Sequence, residues 1–367
     1  MKKSFSDIIG DLEADMKRRL ALKVPSWSEV EGLEIPSKLA LEQCSSEKAA
    51  IYKAALAPEG SVADLDSGLG VDDWAFARKA GKVWYNEINP ELAACAERNF
   101  ARLGLKNIEC SCMDAAQRLA SLPEVDMIFL DPARRDKVGH KMFLLEDCSP
   151  NVPELMPELW KHTGLIMLKL SPMADIAMVA QRLEGLCEVH IVGLDSECKE
   201  LLCILKKGWS GDYRTIAAEL SSGSTMELGE GKILLSDVQP AEGEYLLEPS
   251  AILQKSGRYG AICERFSVRQ LDRSTHLFTT GECISSPFFK TFRITENVPF
   301  NKAGMKRLGR LHPNADVTAR NLPLNSEDLK KKMGIAGSGE AHIFGTSVLG
   351  ERRLLVCEKV TGPESVV

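Results

Sequence analysis

No stretch of this 367-residue chain approaches 18 uncharged apolar residues, and the segment Met1 to Arg19 turns acidic and then basic without an apolar run suited to secretion. A spanning helix is thereby excluded from the sequence pattern, and a cytoplasmic protein is the expectation. Paired C-x-x-C knuckles are also missing. The 11 cysteines are scattered, and Cys110-x-Cys112 and Cys198-x4-Cys203 have no histidine nearby at ligand spacing. They read as reduced thiols used as small apolar residues, and no metal is expected. An excess of positive charge is lacking too. With 46 Lys and Arg against 52 Asp and Glu, the net charge is −6, which argues against a protein that coats nucleic acid by neutralising phosphates. No internal repeat or low-complexity tract is present.

What is there is ordinary globular composition, 44% hydrophobic and 27% charged, in a chain long enough for two or three domains. One basic region sits on the acidic body. Between Asn301 and Ile335 lie Lys302, Lys306, Arg307, Arg310, Arg320, Lys330, Lys331 and Lys332, against Asp316, Glu327 and Asp328.

Residues 1 to 60 read as a helical lead-in, in which Ser45-Ser46-Glu47 suits the start of a helix and Ala57-Pro58-Glu59-Gly60 its stop. From Ser61 the pattern becomes strands alternating with helices, which predicts a parallel sheet. Strands are expected at Ser61 to Leu65, Val83 to Glu87, Ile108 to Cys112, Val125 to Leu130 and Leu165 to Leu170. The series closes on Glu188 to Leu194 and Lys199 to Lys206, joined by four residues only, so that last pair must be antiparallel. Residues 61–208 thus form one α/β domain. Residues 209–242 read as a connector, and 243–292 and 293–367 as α+β modules.

The turn Val62-Ala63-Asp64-Leu65-Asp66-Ser67-Gly68-Leu69-Gly70 joins the first strand to the first helix of that domain. Small residues there let the backbone approach a ligand, and the following helix offers unpaired N–H groups. A dinucleotide fingerprint would place a third glycine where Asp73 stands, which disfavours that reading. Glu87 ends the second strand nineteen residues after Gly68, where a carboxylate can accept from a ribose diol or simply face solvent. Asp114 follows the third strand, placed to accept from an adenine amino group or to cap the helix at Ala115, with Met113 as an apolar ring contact.

Asp131-Pro132-Ala133-Arg134-Arg135-Asp136 follows the apolar run Met127 to Leu130. A carboxylate there faces the crevice at the carboxyl ends of the strands, and proline fixes the turn that aims it. Arg134 and Arg135 are placed to clamp a substrate phosphate or to pair with Asp136 and Asp147. Lys169, in an otherwise apolar strand, pays desolvation unless paired, so it is either salt-bridged or catalytic. Cys148 is a nucleophile in the manner of uracil C5 chemistry, or a packed thiol.

Together these residues resemble a known family, the class I S-adenosylmethionine (SAM)-dependent methyltransferases with a THUMP-like C-terminal domain, best known from Bacteroidetes. The matching stretches are Leu41 to Glu47, Asp64 to Asp72, Leu130 to Asp136, Leu144 to Cys148, Lys169 to Met173, Tyr245 to Pro249 and Arg320 to Leu324, which span nearly the whole chain. The resemblance implies a Rossmann-like seven-stranded domain over 61–208, a ferredoxin-like segment over 243–292 and a THUMP-like domain over 293–367. It supports Asp64, Gly68, Gly70, Glu87 and Asp114 as SAM-binding residues and Asp131 at the catalytic edge, to which the reading of the residues adds Met113 at the cofactor and Pro132 and Lys169 beside Asp131. It also implies RNA, tRNA or rRNA, as partner, which agrees with the basic stretch; Arg134, Arg135, Lys302, Lys306 and Arg307 are the substrate contacts expected from their charge and placement. There are two departures. The family loop usually reads Asp-Leu-Thr-Gly-Gly-Leu-Gly, whereas Asp66 and Ser67 stand here in its third and fourth places. Ala133-Arg134 also replaces the Pro-aromatic pair usual in base-amino methyltransferases.

The leading expectation is methylation of an RNA base. Ribose 2′-O methylation, a small-molecule or protein substrate, and a non-catalytic RNA-binding protein are the alternatives.

Overall fold

The computed structural model describes residues 5–134 and 145–360. Four helices come first: α1 (Phe5–Lys23), α2 (Pro25–Ser28), α3 (Lys38–Gln43) and α4 (Glu47–Leu56). Serines begin the last two, Ser37 accepting from Ala40 N and Ser46 from Ala49 N, so each covers a helix-end donor that has no partner within the helix.

Alternation then begins: β1 (Ser61–Asp64), α5 (Val71–Ala77), β2 (Lys82–Asn86), α6 (Pro90–Arg102), β3 (Ile108–Ser111), α7 (Ala115–Ser121), β4 (Met127–Leu130), α8 (Val152–His162), β5 (Leu165–Leu170), α9 (Ile176–Arg182), β6 (Leu186–Leu194) and β7 (Glu197–Lys206). These strands lie in the order β3-β2-β1-β4-β5-β7-β6. Pairs from β3 to β5 are parallel, with Val62 beside Val83, Ala63 beside Ile128 and Phe129 beside Met167. β7 runs antiparallel to β5, Leu168 facing Cys203. The turn between β6 and β7 consists of Asp195 and Ser196, both at positive φ (53° and 68°), which matches the twist of a tight hairpin. All four residues of β4 are buried, as expected of a central strand covered on both faces. Between β1 and β4 the strand order reverses, and at such a reversal the carboxyl ends of the strands open a crevice.

The chain divides into two units, Met1–Val192 with Lys199–Arg214, and Gly193–Cys198 with Thr215–Val367. In the second, the stretch read as a connector contains an antiparallel hairpin, β8 (Arg214–Glu219) and β9 (Ser224–Leu228), with Ala217 facing Met226. After it come β10 (Tyr245–Pro249), α10 (Ala251–Ser256), α11 (Tyr259–Phe266), β11 (Arg269–Gln270), β12 (Phe278–Thr280), β13 (Phe289–Pro299), α12 (Lys302–Leu311), β14 (Asn314–Ala319), α13 (Ser326–Met333), β15 (Gly337–Val348) and β16 (Glu351–Lys359). One sheet takes them all in the order β11-β12-β10-β13-β16-β15-β14. The two α+β segments expected here therefore share a sheet, Tyr245 of β10 pairing with Arg293 of β13. Leu308 of α12 and Leu329 and Met333 of α13 pack with Val298 and Ile343 in its core. Among the described residues no helix is long and apolar enough to cross a membrane.

Candidate active site

The turn after β1 is held from two sides. Asp66 N donates to Asp64 Oδ1 at 3.0 Å, and Gly68 N donates to Glu87 Oε2 at 2.9 Å. Glu87 Oε1 accepts in turn from Asn89 N at 2.8 Å, and Tyr85 Oη donates to Gly68 O at 2.7 Å. Glu87 thus ties the glycine turn to the end of β2 while lining the crevice itself. Gly68, at φ 58°, has no heavy atom within 4 Å of where a Cβ would stand, so a ligand can approach its backbone. Gly70 has a different task. At φ 84° it precedes α5, and a Cβ there would stand 2.4 Å from the Phe100 ring, so it shapes the turn and does not line the crevice.

Asn86 links three strand ends that the sequence reading treated separately. Its Nδ2 donates to Leu65 O at 3.1 Å and to Met113 O at 3.0 Å, while its Oδ1 accepts from Ser111 Oγ at 2.9 Å. That places Met113 and Asp114 beside the glycine turn. One Asp114 oxygen accepts from Ala116 N at 2.9 Å, so the residue caps α7 and also lines the crevice.

Asp131, just past β4, pairs with Lys169 of β5. Burial works against the Lys169 ammonium, but the carboxylates of Asp131, Glu200 and Asp72 outweigh it and raise its pKa above the ordinary lysine value. Lys169 is therefore a fixed cation beside Asp131. Pro132 is buried behind the carboxylate and does not line the crevice.

Beneath this pair lies a polar group that the sequence reading missed. Lys53 of α4 is wholly buried; its Nζ donates to Ser45 Oγ at 2.6 Å and stands 2.8 Å from Asp72 Oδ1 and 3.5 Å from Glu200 Oε1. Ser45 Oγ passes a hydrogen bond on to Asp72 Oδ2 at 2.7 Å. Glu200 has its pKa raised, burial outweighing the lowering by Lys53 and Lys169. Deeper still, Asp64 and Asp73 are both pushed well above the usual carboxylate range, by burial first and then by Asp73 in the one case and Asp72 in the other.

The result is a crevice of about 880 Å³ lined by Asp64, Asp66, Gly68, Glu87, Met113, Asp114, Asp131 and Lys169, with the buried Cys148 on its wall. Such a volume suits a drug-sized or nucleoside-sized ligand. Eight residues from four β–α turns and two strands converge there. Arg134 is seen as backbone, pairing with Cys148 in a two-residue ladder, and Arg135 lies outside the described residues. Lys302, Lys306 and Arg307 belong to α12 of the other unit, where all three are exposed and Arg307 pairs with Glu296. No group of three or more His, Cys, Asp or Glu placed to hold a metal occurs among the described residues.

The chain is similar to proteins already described. A family model for a ferredoxin-like domain matches residues 245–287, and one described as THUMP domain-like matches 289–359. The crystal structure of a candidate methyltransferase from Porphyromonas gingivalis superposes with a TM-score of 0.85 at 30% identity, covering 95% of this chain and 89% of that one. An uncharacterized S-adenosylmethionine-dependent methyltransferase of Mycobacterium tuberculosis is 25% identical over 307 residues, 82% of this chain and 80% of its own length. A 23S rRNA (uracil(1939)-C(5))-methyltransferase of Shewanella amazonensis is 37% identical over 76 residues, 20% of this chain and 17% of its own.

Proposed function

Because the chain belongs to the SAM-dependent methyltransferases that carry ferredoxin-like and THUMP-like domains behind a Rossmann-like one, we propose that it methylates a base of tRNA or rRNA. The observation that carries the reading is the convergence of the glycine turn, Glu87, Asp114 and the Asp131–Lys169 pair on one crevice at the strand reversal. Open space over Gly68 and the Oδ2 of Asp66, which has no hydrogen-bond partner among the described residues, fit a cationic nucleoside there.

Asp64, Gly68, Glu87, Met113 and Asp114 would hold the donor, with Gly70 keeping the turn in shape. When bound, SAM supplies a methyl group on a sulfonium, and displacement from such a centre depends chiefly on alignment. Asp131 accepts a hydrogen bond or proton from the attacking RNA atom, and Pro132 fixes the turn that presents it. Lys169, held protonated, cannot serve as base; it fixes the Asp131 carboxylate in place. The THUMP-like match and the exposed Lys302, Lys306 and Arg307 favour RNA over a small molecule, as does the Shewanella relative's rRNA substrate. Arg134 and Arg135 would meet phosphates nearer the reacting base. An RNA substrate places the work in the cytoplasm.

The test is transfer of labelled methyl groups from SAM to RNA from a strain lacking this gene, followed by nucleoside mass spectrometry. A methylated base that appears with wild type and not with Asp131→Ala supports the reading. A 2′-O-methyl nucleoside would assign the Asp131–Lys169 pair to hydroxyl chemistry. RNA binding without any methyl transfer would leave an RNA-binding protein on a methyltransferase fold.

A further inference from the structure

The turn after β1 carries one carboxylate in the crevice lining, Asp66, to which no specific role has yet been given. Asp66 lines the crevice, and its Oδ2 is buried without a hydrogen-bond partner among the described residues. Its backbone N–H is spent on Asp64 Oδ1, which fixes the turn. The groups around it are almost all of its own sign: Asp64 at the end of β1, Glu87 at the end of β2, Asp114 after β3 and Asp131 after β4, while Asp72 and Asp73 of α5 act in turn on Asp64. Among the described residues the nearby ammoniums are committed, Lys169 to Asp131 and Lys53 to Asp72 and Glu200. A carboxylate whose buried oxygen has neither donor nor counter-ion among the described residues is costly, and such groups cluster where a ligand completes the charge balance.

We propose that Asp66 is the charge-selecting residue of the crevice: it pairs with a cationic centre of the methyl donor, giving up its proton as the donor binds. This rests on the assignment of the crevice to SAM. Before binding, burial, and after it Asp131, Glu87 and Asp114, push the Asp66 carboxyl up to about 8, so at neutral pH it is mostly a neutral acid. An arriving ammonium or sulfonium reverses that balance. The proton leaves to solvent, and the bound state holds a carboxylate–cation pair. Threonine, which the family loop usually has at this place, can accept a hydrogen bond but carries no charge to titrate. The chain therefore links donor uptake to pH in a way that a neutral residue at position 66 would not.

The experiment is titration calorimetry of SAM and S-adenosylhomocysteine into wild type, Asp66→Asn and Asp66→Thr. Each is run between pH 6 and 8 in two buffers of different ionisation enthalpy, so that protons are counted without reference to catalysis. The donor's own α-amine titrates near the top of this range, so the difference between wild type and variant is the quantity read. Wild type should release close to one proton more than Asp66→Asn near pH 7, and its SAM affinity should rise roughly tenfold per pH unit relative to the variant below pH ~8. Extra release with both ligands assigns the partner as the ammonium they share; extra release with SAM alone assigns it as the sulfonium. Equal proton counts in wild type and both variants, with SAM bound, overturn the proposal and leave the methyltransferase reading standing. No SAM binding by folded wild type at millimolar ligand overturns both.

Discussion

Replacing Lys53 by methionine keeps the aliphatic stem and removes only the ammonium. In the wild type that ammonium touches Ser45, Asp72 and Glu200, stands 5.5 Å from the centre of the Phe129 ring, and is wholly shielded from water. Without it, Asp72 and Glu200 remain in the interior with Lys169 as the shared counter-ion, and Lys169 is already engaged by Asp131. Removing one partner of a buried pair typically costs about 3–5 kcal/mol, since the other charge is left uncompensated. For a unit of this size each kcal/mol lowers the melting temperature by about 2–4 °C, so the expected fall is roughly 6–20 °C.

The pH dependence gives a sharper test. Glu200 already has its pKa raised by burial, and Lys53 is the leading influence opposing that shift. Deleting Lys53 raises it further. A carboxyl whose folded pKa exceeds its unfolded one binds its proton more tightly in the folded state. Its destabilising effect is small below the ordinary glutamate range and grows as pH climbs through the folded pKa. Scanning calorimetry should therefore show a wider gap between Lys53→Met and wild type at pH 8 than at pH 5, and Glu200→Gln added to Lys53→Met should recover more than half of the loss at pH 8. A melting temperature within about 2 °C of wild type at both pH values would refute the reasoning, because so small a change is what an exposed salt bridge gives.

Asp131→Asn should lower the methyl-transfer rate constant at saturating SAM by about 100- to 10,000-fold, the range for loss of a positioned base. Charge reversal of Lys306 together with Arg307 should weaken RNA binding and reduce the slope of log affinity against log salt by roughly 2, measured by fluorescence anisotropy. An unchanged slope would remove this face of α12 from the interface. Gly70→Ala meets both a left-handed backbone and the Phe100 ring at 2.4 Å, so urea unfolding should report a loss of about 2–5 kcal/mol.

The parts of this site legible in the sequence were those whose chemistry and local pattern coincide. A continuous apolar strand ending in Asp131, or a run of small residues between strand and helix, declares a strand end, and strand ends in a parallel sheet converge. Lys169 stood out as a charge inside an apolar strand, and the structure pairs it with Asp131. The same argument applies to Glu200, which precedes the buried run Leu201 to Leu205, yet it was passed over because its partner Lys53 lies far away in sequence, on a helix where lysine normally reads as solvent-facing. A local signal did exist: Ala49, Ala50 and Ala54 are buried with Lys53, and such small residues mark a face pressed closely against its neighbours. Asn86 left a weaker trace, since an amide at a strand end suits solvent as well as the cross-link it makes here. The hairpin at 214–228 was missed because its strands are short and its alternation is diluted by Glu, Ser and Gly.

The distribution of charge also decides how the two ligands must be shared across the chain. Asp64, Asp66, Asp72, Glu87, Asp114, Asp131, Glu146 and Glu154 line the crevice, and Lys169 is the only lysine or arginine among its described lining residues. Such a lining favours a donor that carries an ammonium and a sulfonium, and it opposes the close approach of a phosphodiester. On the proposed RNA substrate, affinity then comes from elsewhere on the chain. The sequence clusters cations after β4, at Arg134, Arg135, Lys137 and Lys141, and the exposed face of α12 carries others. If phosphates are gripped by such basic segments and not by the crevice, an RNA fragment reduced to the methylated base and its immediate neighbours should bind more weakly, with a higher KM, yet keep its turnover rate once saturating. A short stem-loop centred on the methylated base, compared with the full-length RNA under equal salt, separates these quantities. Equal KM for the two substrates would show that the acidic crevice itself holds the RNA, contrary to the charge it presents.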